Sequence, residues 1–271
     1  MQLWESVLLG LVEGLTEFLP VSSTAHLLLT QRALGMRGEA ANAFAIAIQA
    51  GAIVAVLALY RARIEGMVRG ALGRDPEGCA LALNVVAAFV PAAILGKLFD
   101  KKIEAYLLGL WPVVFAWFVG GAVILWLDRR LRARTEGRGL ASLTTRDALT
   151  IGLAQCVAMW PGTSRSLATI VAGLVIGLSM AAAVEFSFLL GVVTLSAAAA
   201  YKTVKGGAAM LSDYGAANLL VGLLVATVSA WVSARWMVSW LQRRGLTVFG
   251  VYRVGLAVVV AALLSTGRLS P

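Results

Sequence analysis

The stretch EGLTEFLPVSSTAH, Glu13 to His26, gathers two carboxylates, three consecutive hydroxyls and the only histidine of the chain into fourteen residues. Glu13 and Glu17 stand four apart, so a helix would place both carboxylates on one face, where they repel. A divalent cation between them, Mg2+ or Ca2+ by the hardness of the oxygen ligands, would relieve that repulsion. So would one retained proton, which makes one Glu an acid or a base. Pro20 has no N–H and disfavours helix in the residue before it, which marks a break between an incoming and an outgoing helix. Ser22, Ser23 and Thr24 then fall at the cap and first turn of the outgoing helix. His26 follows Ser23 by three residues and Ser22 by four, which brings it to their side of a helix that starts near Ser22.

A second stretch, WPGTSRS, repeats the device: Pro161 breaks a helix ahead of Thr163, Ser164, Arg165 and Ser166. Both breaks aim free backbone N–H groups, hydroxyls and about half a positive charge at whatever lies in front of them, which makes an anion site. A guanidinium inside a bilayer costs at least about 2.5 to 3.5 kcal/mol unless it meets water or a partner. The Arg165 fork suits a phosphate. The plainer account is an ordinary capped turn with an Arg reaching the interface and, for the two Glu, a solvated helix face. Leu15, Phe18 and Leu19 beside the carboxylates speak against open water. Together the stretches offer acid and base groups, metal ligands and a nucleophile to a phosphate held from both sides.

The elements that must hold these groups are apolar. The 271 residues are 60% hydrophobic, with a mean hydropathy of +0.85, far beyond what one soluble core needs. Stretches 41–60, 80–98, 106–127, 182–201, 217–240 and 248–267 are long enough for the roughly 20 helical residues that cross about 30 Å of hydrocarbon. They lack the alternation of a membrane barrel. Residues 3–32 and 147–177 are shorter and interrupted, which suits hairpins that enter a bilayer and leave on the same side. The expected fold is an all-α polytopic membrane protein, one membrane domain over 1–271, with six transmembrane helices and two re-entrant helical hairpins.

A shift of 141 residues lays Pro20 on Pro161, Ser23 on Ser164, Tyr60-Arg61 on Tyr201-Lys202 and Gly66 on Gly207. The expected repeats are 1–135 and 142–271, each a hairpin followed by three spans. Three crossings is an odd number, so the repeats would have inverted topology and place a site near the midplane, where the interruptions meet.

The net charge of +9 sits almost wholly in the short connections, which reads as topology and not as nucleic-acid binding. With the N-terminus on one side, that side carries eight basic residues, from Arg32 to Arg268. The other carries twelve, from Arg61 to Arg244 and including Arg132 and Arg134. That bias makes the second side cytoplasmic and both termini external. Cys79 and Cys156 form no CxxC pair and no cluster with His26, so neither a disulfide framework nor a structural zinc is expected. No basic region precedes the first apolar run, and no cleaved signal peptide is expected. Glu185 and Arg253 are further intramembrane charges, expected to pair with one another or line the cavity. Trp111, Trp126, Trp236 and Trp240 read as interfacial anchors.

EGLTEFLPVSSTAH together with WPGTSRSLATI, in this order and at this separation, resembles the signature pair of the bacterial undecaprenyl pyrophosphate phosphatases, the BacA/UppP family. EFSFLL at 185–190 and Tyr252-Arg253 carry the likeness through nearly the whole chain. The resemblance implies an enzyme that removes the terminal phosphate of undecaprenyl pyrophosphate at the outer face of the bacterial cytoplasmic (inner) membrane. It thereby implies recycling of the carrier lipid for cell-wall peptidoglycan synthesis, a divalent cation requirement and a link to bacitracin resistance. The family's motif residues fall on Glu13, Glu17, Ser22, Ser23, Thr24 and His26, and on Ser164, Arg165 and Ser166.

In the resulting picture the polyprenyl tail lies between spans, and Glu13 and Glu17 hold the cation. Ser22, Thr24, Thr163, Ser164, Arg165 and Ser166 bind phosphate, and Ser23 is the nucleophile, with Glu17 or His26 taking its proton. Phosphorylation of His26 and attack by activated water stay open, and a homodimer is compatible with the same reading. The alternative is a polyprenyl-phosphate flippase, since transporters also build midplane anion sites from inverted repeats.

Overall fold

The computed structural model describes residues 1–131 and 137–269. Arg132 and Arg134 of the basic connection, and the expected repeat ends at 135 and 271, lie outside the described residues. The α-helices are α1 (Leu3–Thr16), α2 (Ser23–Ala33), α3 (Glu39–Leu59), α4 (Arg61–Ala71), α5 (Pro76–Leu107), α6 (Leu110–Leu131), α7 (Thr145–Gln155), α8 (Arg165–Val175), α9 (Met180–Arg244) and α10 (Thr247–Ser265). Among the described residues the sole β-type pairing is one bridge between Arg138 and Leu178.

Six segments of the described residues are long and apolar enough to cross a membrane: Glu39–Leu59, Pro76–Ile103, Leu110–Asp128, Met180–Val204, Gly207–Arg244 and Thr247–Ser265. They overlap the six stretches read from hydropathy. One connection departs from that reading: α9 runs 65 residues, straight through the expected link at 202–216, and breaks its helical backbone at Gly215 (φ 77°, ψ 155°). Only glycine adopts such a conformation cheaply, so Gly215 divides α9 into two long arms. The remaining helices are short. α1 has 14 residues and α2, α7 and α8 have 11 each, about 21 Å and 16 Å at the α-helical rise, less than the roughly 30 Å of a hydrocarbon core.

Local chemistry sets where these helices begin. Asp75 accepts from the Gly78 N–H at 2.9 Å and Pro76 occupies the first turn of α5, both favourable at a helix start. Thr144 and Asp147 cap α7 reciprocally, each accepting from the other's backbone N–H at 3.2 and 3.1 Å. Arg138 donates to Asp147 at 3.0 Å, and this hydrogen bond above all holds the Asp147 carboxyl below the usual carboxylate range.

α9 is the central post: α1, α3 and α8 pack on it, while α10 packs on α6 and α7 packs on α5 and α8. Glycines permit the closest approaches. A Cβ on Gly14 of α1 would lie 2.5 Å from the Ala226 carbonyl oxygen, and one on Gly10 2.7 Å from the Gly222 oxygen, the small-residue contact that brings helix backbones together. Polar pairs tie the helix ends. Lys202 meets Asp100 at 3.0 Å, and Asn218 bonds Ser6 at 2.9 Å and the Met1 carbonyl at 3.0 Å. At other ends Glu185 pairs with Arg63 at 2.6 Å, and Asp128 accepts from the Leu246 N–H at 2.9 Å.

The expected Glu185–Arg253 pair is therefore not formed. Glu185 lies near the start of α9, where Arg63 of α4 reaches it. The Arg253 guanidinium, fully buried, is instead taken by backbone carbonyls at the two helix breaks.

Candidate active site

The first break begins where α1 ends at Thr16. Two hydroxyls of α9 hold α1 in place, Ser229 donating to the Gly10 carbonyl at 3.2 Å and Ser233 to the Leu15 carbonyl at 2.9 Å. The Leu15 carbonyl belongs to the last helical turn, whose carbonyls find no N–H donor along the helix. After the turn, Ser22 carries φ 73° and ψ 98° and α2 starts at Ser23. The second break has the same form: Ser164 carries φ 76° and ψ 118°, and α8 starts at Arg165. Among the described residues these are the two non-glycine positions with positive φ. Each such backbone costs on the order of 1–3 kcal/mol, a strain that persists where surrounding structure enforces it.

The caps fall out of step with the match made on the prolines. Ser22 and Ser164 equate Ser23 with Arg165 and Thr24 with Ser166, one residue away from the shift that lays Pro20 on Pro161. The second break has one more residue between proline and cap.

The breaks touch. Arg165 donates through Nη2 to Glu17 Oε1 at 3.1 Å and through Nη1 to the Ser187 carbonyl at 2.9 Å. Ser23 Oγ donates to the other carboxylate oxygen, Glu17 Oε2. Ser166 Oγ donates to the Leu19 carbonyl at 3.0 Å and lies 3.0 Å from Ser164 Oγ, which in turn accepts from the Leu167 N–H at 3.3 Å. Arg253 locks the arrangement from behind, donating to Pro20 O at 3.2 Å in the first break, Gly162 O at 2.8 Å in the second, and Ala116 O of α6 at 2.9 Å. Removing the guanidinium would leave the Pro20 and Gly162 carbonyls, which lie at the breaks, without this donor.

A cavity of about 660 Å³ opens in front of the breaks. Its polar end is formed by Glu17, Ser22, Ser23, Thr24, Ser164 and Arg165, its walls include Leu27, Phe89 and Leu195, and Lys97, Asp100 and Lys202 line its far end. A polar head group and an apolar chain would both find matching surface there. Glu13 sits one turn behind Glu17, fully buried.

His26, Thr163 and Ser166 are not among the cavity-lining residues. The His26 ring lies between Trp117 and Tyr252, its centroid 5.2 and 5.7 Å from theirs. Nδ1 is 2.7 Å from the Ser22 carbonyl and Nε2 is 2.7 Å from the Tyr252 hydroxyl. A carbonyl can only accept, so Nδ1 carries the proton and Nε2 accepts from tyrosine in the neutral ring. His26 thus braces the strained Ser22 and makes no hydrogen bond to Ser23, Glu17 or Arg165.

Sequence reasoning missed Gln49, Gln155, Ser187 and the clamping part of Arg253. Gln49 and Gln155 are buried and line the cavity. The signal for Gln49 was there, a lone amide inside the apolar run FAIAIQAGAIVAVLAL, since an unneeded polar group in such a run is costly.

Several buried polar atoms have no hydrogen-bond partner, among them both oxygens of Glu13, Nε of Arg165 and Nε2 of Gln155. Buried polar groups are matched in nearly all proteins, so unmatched atoms on Arg165 and Gln155, which both line the cavity, point to a ligand there. Two acceptor oxygens on Glu13 beside a second carboxylate fit a hard divalent cation. Among the described residues no three His, Cys, Asp or Glu side chains converge, so hydroxyl, water or phosphate oxygens would complete its shell, as Mg2+ commonly accepts.

The chain matches the family model of bacitracin resistance protein BacA over residues 6–259. It is 46% identical over 261 residues to an undecaprenyl-diphosphatase of Sorangium cellulosum, covering 95% of this chain and 85% of that one. It is 45% identical over 267 residues to undecaprenyl-diphosphatase 2 of Rhodospirillum rubrum, covering 98% and 96%. To an undecaprenyl-diphosphatase of Verminephrobacter eiseniae it is 42% identical over 263 residues, covering 97% and 95%.

Proposed function

This chain belongs to the BacA family of bacitracin resistance proteins, and from that premise we propose that its cavity hydrolyses undecaprenyl pyrophosphate to undecaprenyl phosphate and inorganic phosphate. The reaction returns a carrier lipid to cell-wall synthesis. One observation carries the assignment of chemistry to residues: a serine hydroxyl bonded to a carboxylate that also receives an arginine from the opposite break. Serine, base and cation at one point are the parts a phosphoryl transfer needs.

In the proposed reaction Ser23 Oγ attacks the terminal phosphorus as Glu17 takes its proton. A Ser23–phosphate bond forms, the phosphoanhydride bond breaks, and polyprenyl phosphate leaves with both electrons of that bond. Glu17 passes that proton to the departing polyprenyl phosphate and, ionised again, takes one from a water that attacks the phosphoserine; the Ser23 O–P bond breaks, Glu17 returns this proton to Ser23 Oγ, and inorganic phosphate is freed. Arg165 and the N-termini of α2 and α8 stabilise charge on the transferring group. Ser22, Thr24 and Ser164 complete the polar end. Thr163 and Ser166 support the second break from outside the cavity, and His26 holds the first by its bond to the Ser22 carbonyl.

A divalent cation would be held by Glu13 and Glu17, and when bound it would supply a Lewis acid that neutralises phosphate charge. The orphaned Glu13 oxygens support this.

For the membrane arrangement, α1–α2 and α7–α8 are proposed as re-entrant pairs of two inverted repeats. The short helices and the matched strain at Ser22 and Ser164 support it. The excess of arginine on the connections opposite Lys97 and Lys202 supports a cavity that opens to the outer face of the cytoplasmic membrane. The flippase alternative draws no support from the family or the relatives. The test is phosphate release from polyprenyl pyrophosphate by detergent-solubilised protein, where no compartments exist. Wild type should release phosphate in a metal-dependent way and Glu17→Gln should not. A wild type inert with every divalent cation would defeat the reading.

A further inference from the structure

Gln155 closes α7, is 2% exposed, lines the same cavity as Arg165, and has no part in the chemistry above. The Thr194 hydroxyl of α9 donates chiefly to the Leu190 carbonyl at 2.9 Å and shares the same proton with Gln155 Oε1 at 3.3 Å, while Gln155 Nε2 is left without a partner. A buried amide donor that is held in place and unmatched is arranged for an acceptor that arrives with a ligand.

α9 supplies a ruler for where that acceptor would lie. The Arg165 guanidinium rests against Gly191, where a Cβ would come within 2.6 Å of Nη1. Thr194 is three residues further along the same helix, toward the Lys202 end of the cavity, an axial offset of about 4.5 Å. Adjoining phosphoryl groups of a diphosphate lie closer together than this, but their outer oxygens spread far enough for one head group to reach both side chains. The terminal group must sit by Ser23 and Arg165, where the nucleophile is. The group one step nearer the cavity's far end is the one that carries the lipid.

We propose that Gln155 is a substrate-binding residue whose amide nitrogen donates to the lipid-linked phosphoryl group, while Arg165 holds the terminal one. The proposal rests on the reading of the cavity as a polyprenyl pyrophosphate site. It divides the head group between two residues: after transfer to Ser23 the lipid monophosphate stays on Gln155, and inorganic phosphate later leaves from the Arg165 end. An amide suits the lipid-linked group because it binds without adding charge that would hold the product.

The experiment compares wild type, Gln155→Leu, Gln155→Glu and Thr194→Val in detergent. The readouts are KM and kcat for a polyprenyl pyrophosphate, inhibition by polyprenyl monophosphate and inhibition by inorganic phosphate. Loss of one hydrogen bond to a charged oxygen should raise KM and the monophosphate inhibition constant of Gln155→Leu about tenfold or more, leaving kcat and inorganic-phosphate inhibition nearly unchanged. Gln155→Glu should bind the monophosphate more weakly still, because an anion then faces an anion. Thr194→Val, which keeps the amide but frees its orientation, should shift both constants in the same direction by less. Unchanged monophosphate inhibition in Gln155→Leu would overturn the proposal. So would a Gln155→Glu protein that matches wild type, since an oxygen would then be what the ligand requires. Direct binding of polyprenyl monophosphate, read as a thermal shift, gives the same comparison without turnover. Should wild type bind but not hydrolyse, the enzymatic reading fails while the Gln155 assignment is still decided by this binding. If Gln155→Leu does not fold, Gln155→Glu and Thr194→Val decide it.

Discussion

Glu17 spends one carboxylate oxygen on the Ser23 hydroxyl and the other on Arg165, so a single side chain couples the proposed nucleophile to the proposed charge stabiliser across two distant parts of the chain. Two substitutions separate these roles. Ser23→Ala should abolish any acid-stable phosphoenzyme, read by rapid quench with labelled substrate; label in this variant that survives an alkaline quench and is lost in acid would place the intermediate on His26. Arg165→Ala should lower kcat about a hundredfold to a thousandfold if it acts on the transition state, and near-normal turnover in the folded variant would remove it from the mechanism. Glu13→Gln removes one acceptor oxygen from the proposed cation site. The concentration of Mg2+ or Ca2+ needed for half-maximal activity should rise, and an unchanged metal titration would assign Glu13 elsewhere. Residue types were legible in the sequence, because carboxylates, hydroxyls and an arginine in an apolar chain have few bland explanations. Directions were not. Serine rarely takes positive φ, so nothing in EGLTEFLPVSSTAH announced the turn at Ser22 that sends Ser23 toward α1 and leaves His26 facing Tyr252.

The elements hold the site through backbone approach more than through bulky packing. α1 reaches α9 over Gly10 and Gly14, and two α9 serines then take its carbonyls. Gly14→Ala would press a methyl carbon against the Ala226 carbonyl, an overpacking that costs roughly 1–3 kcal/mol. The variant should show a lower Tm and lower activity together, whereas a variant as stable as wild type would mean that α1 moves freely against α9. Hydropathy located the membrane-length helices well because about 20 apolar residues leave little choice. It misjudged the link at 202–216, which is helical up to Gly215, because a polar or charged residue does not by itself end a helix. The two breaks were visible through their prolines, yet a match made on the prolines misses the caps at Ser22 and Ser164 by one residue, since one added residue in a turn leaves the helices on either side undisturbed.

At the scale of the whole molecule, Arg253 gathers α6 and both breaks from within α10, and its partners are carbonyls. An expected ion pair with Glu185 was the natural inference from side chains alone, because broken helices expose acceptors that no residue type encodes. Membrane orientation is open to chemical labelling. A cysteine at position 101 of a variant lacking Cys79 and Cys156 should react with an impermeant thiol reagent on intact cells, and one at position 65 should not. The reverse pattern would turn the cavity to the cytoplasm.

The central claim is that both breaks grip one diphosphate. Its most direct test is a structure of the protein with a polyprenyl bisphosphonate whose methylene bridge resists hydrolysis. The account predicts one head group that touches Ser23 or Thr24 at the start of α2 and Arg165 at the start of α8. A head group bound to one break alone, or outside this cavity, would contradict it.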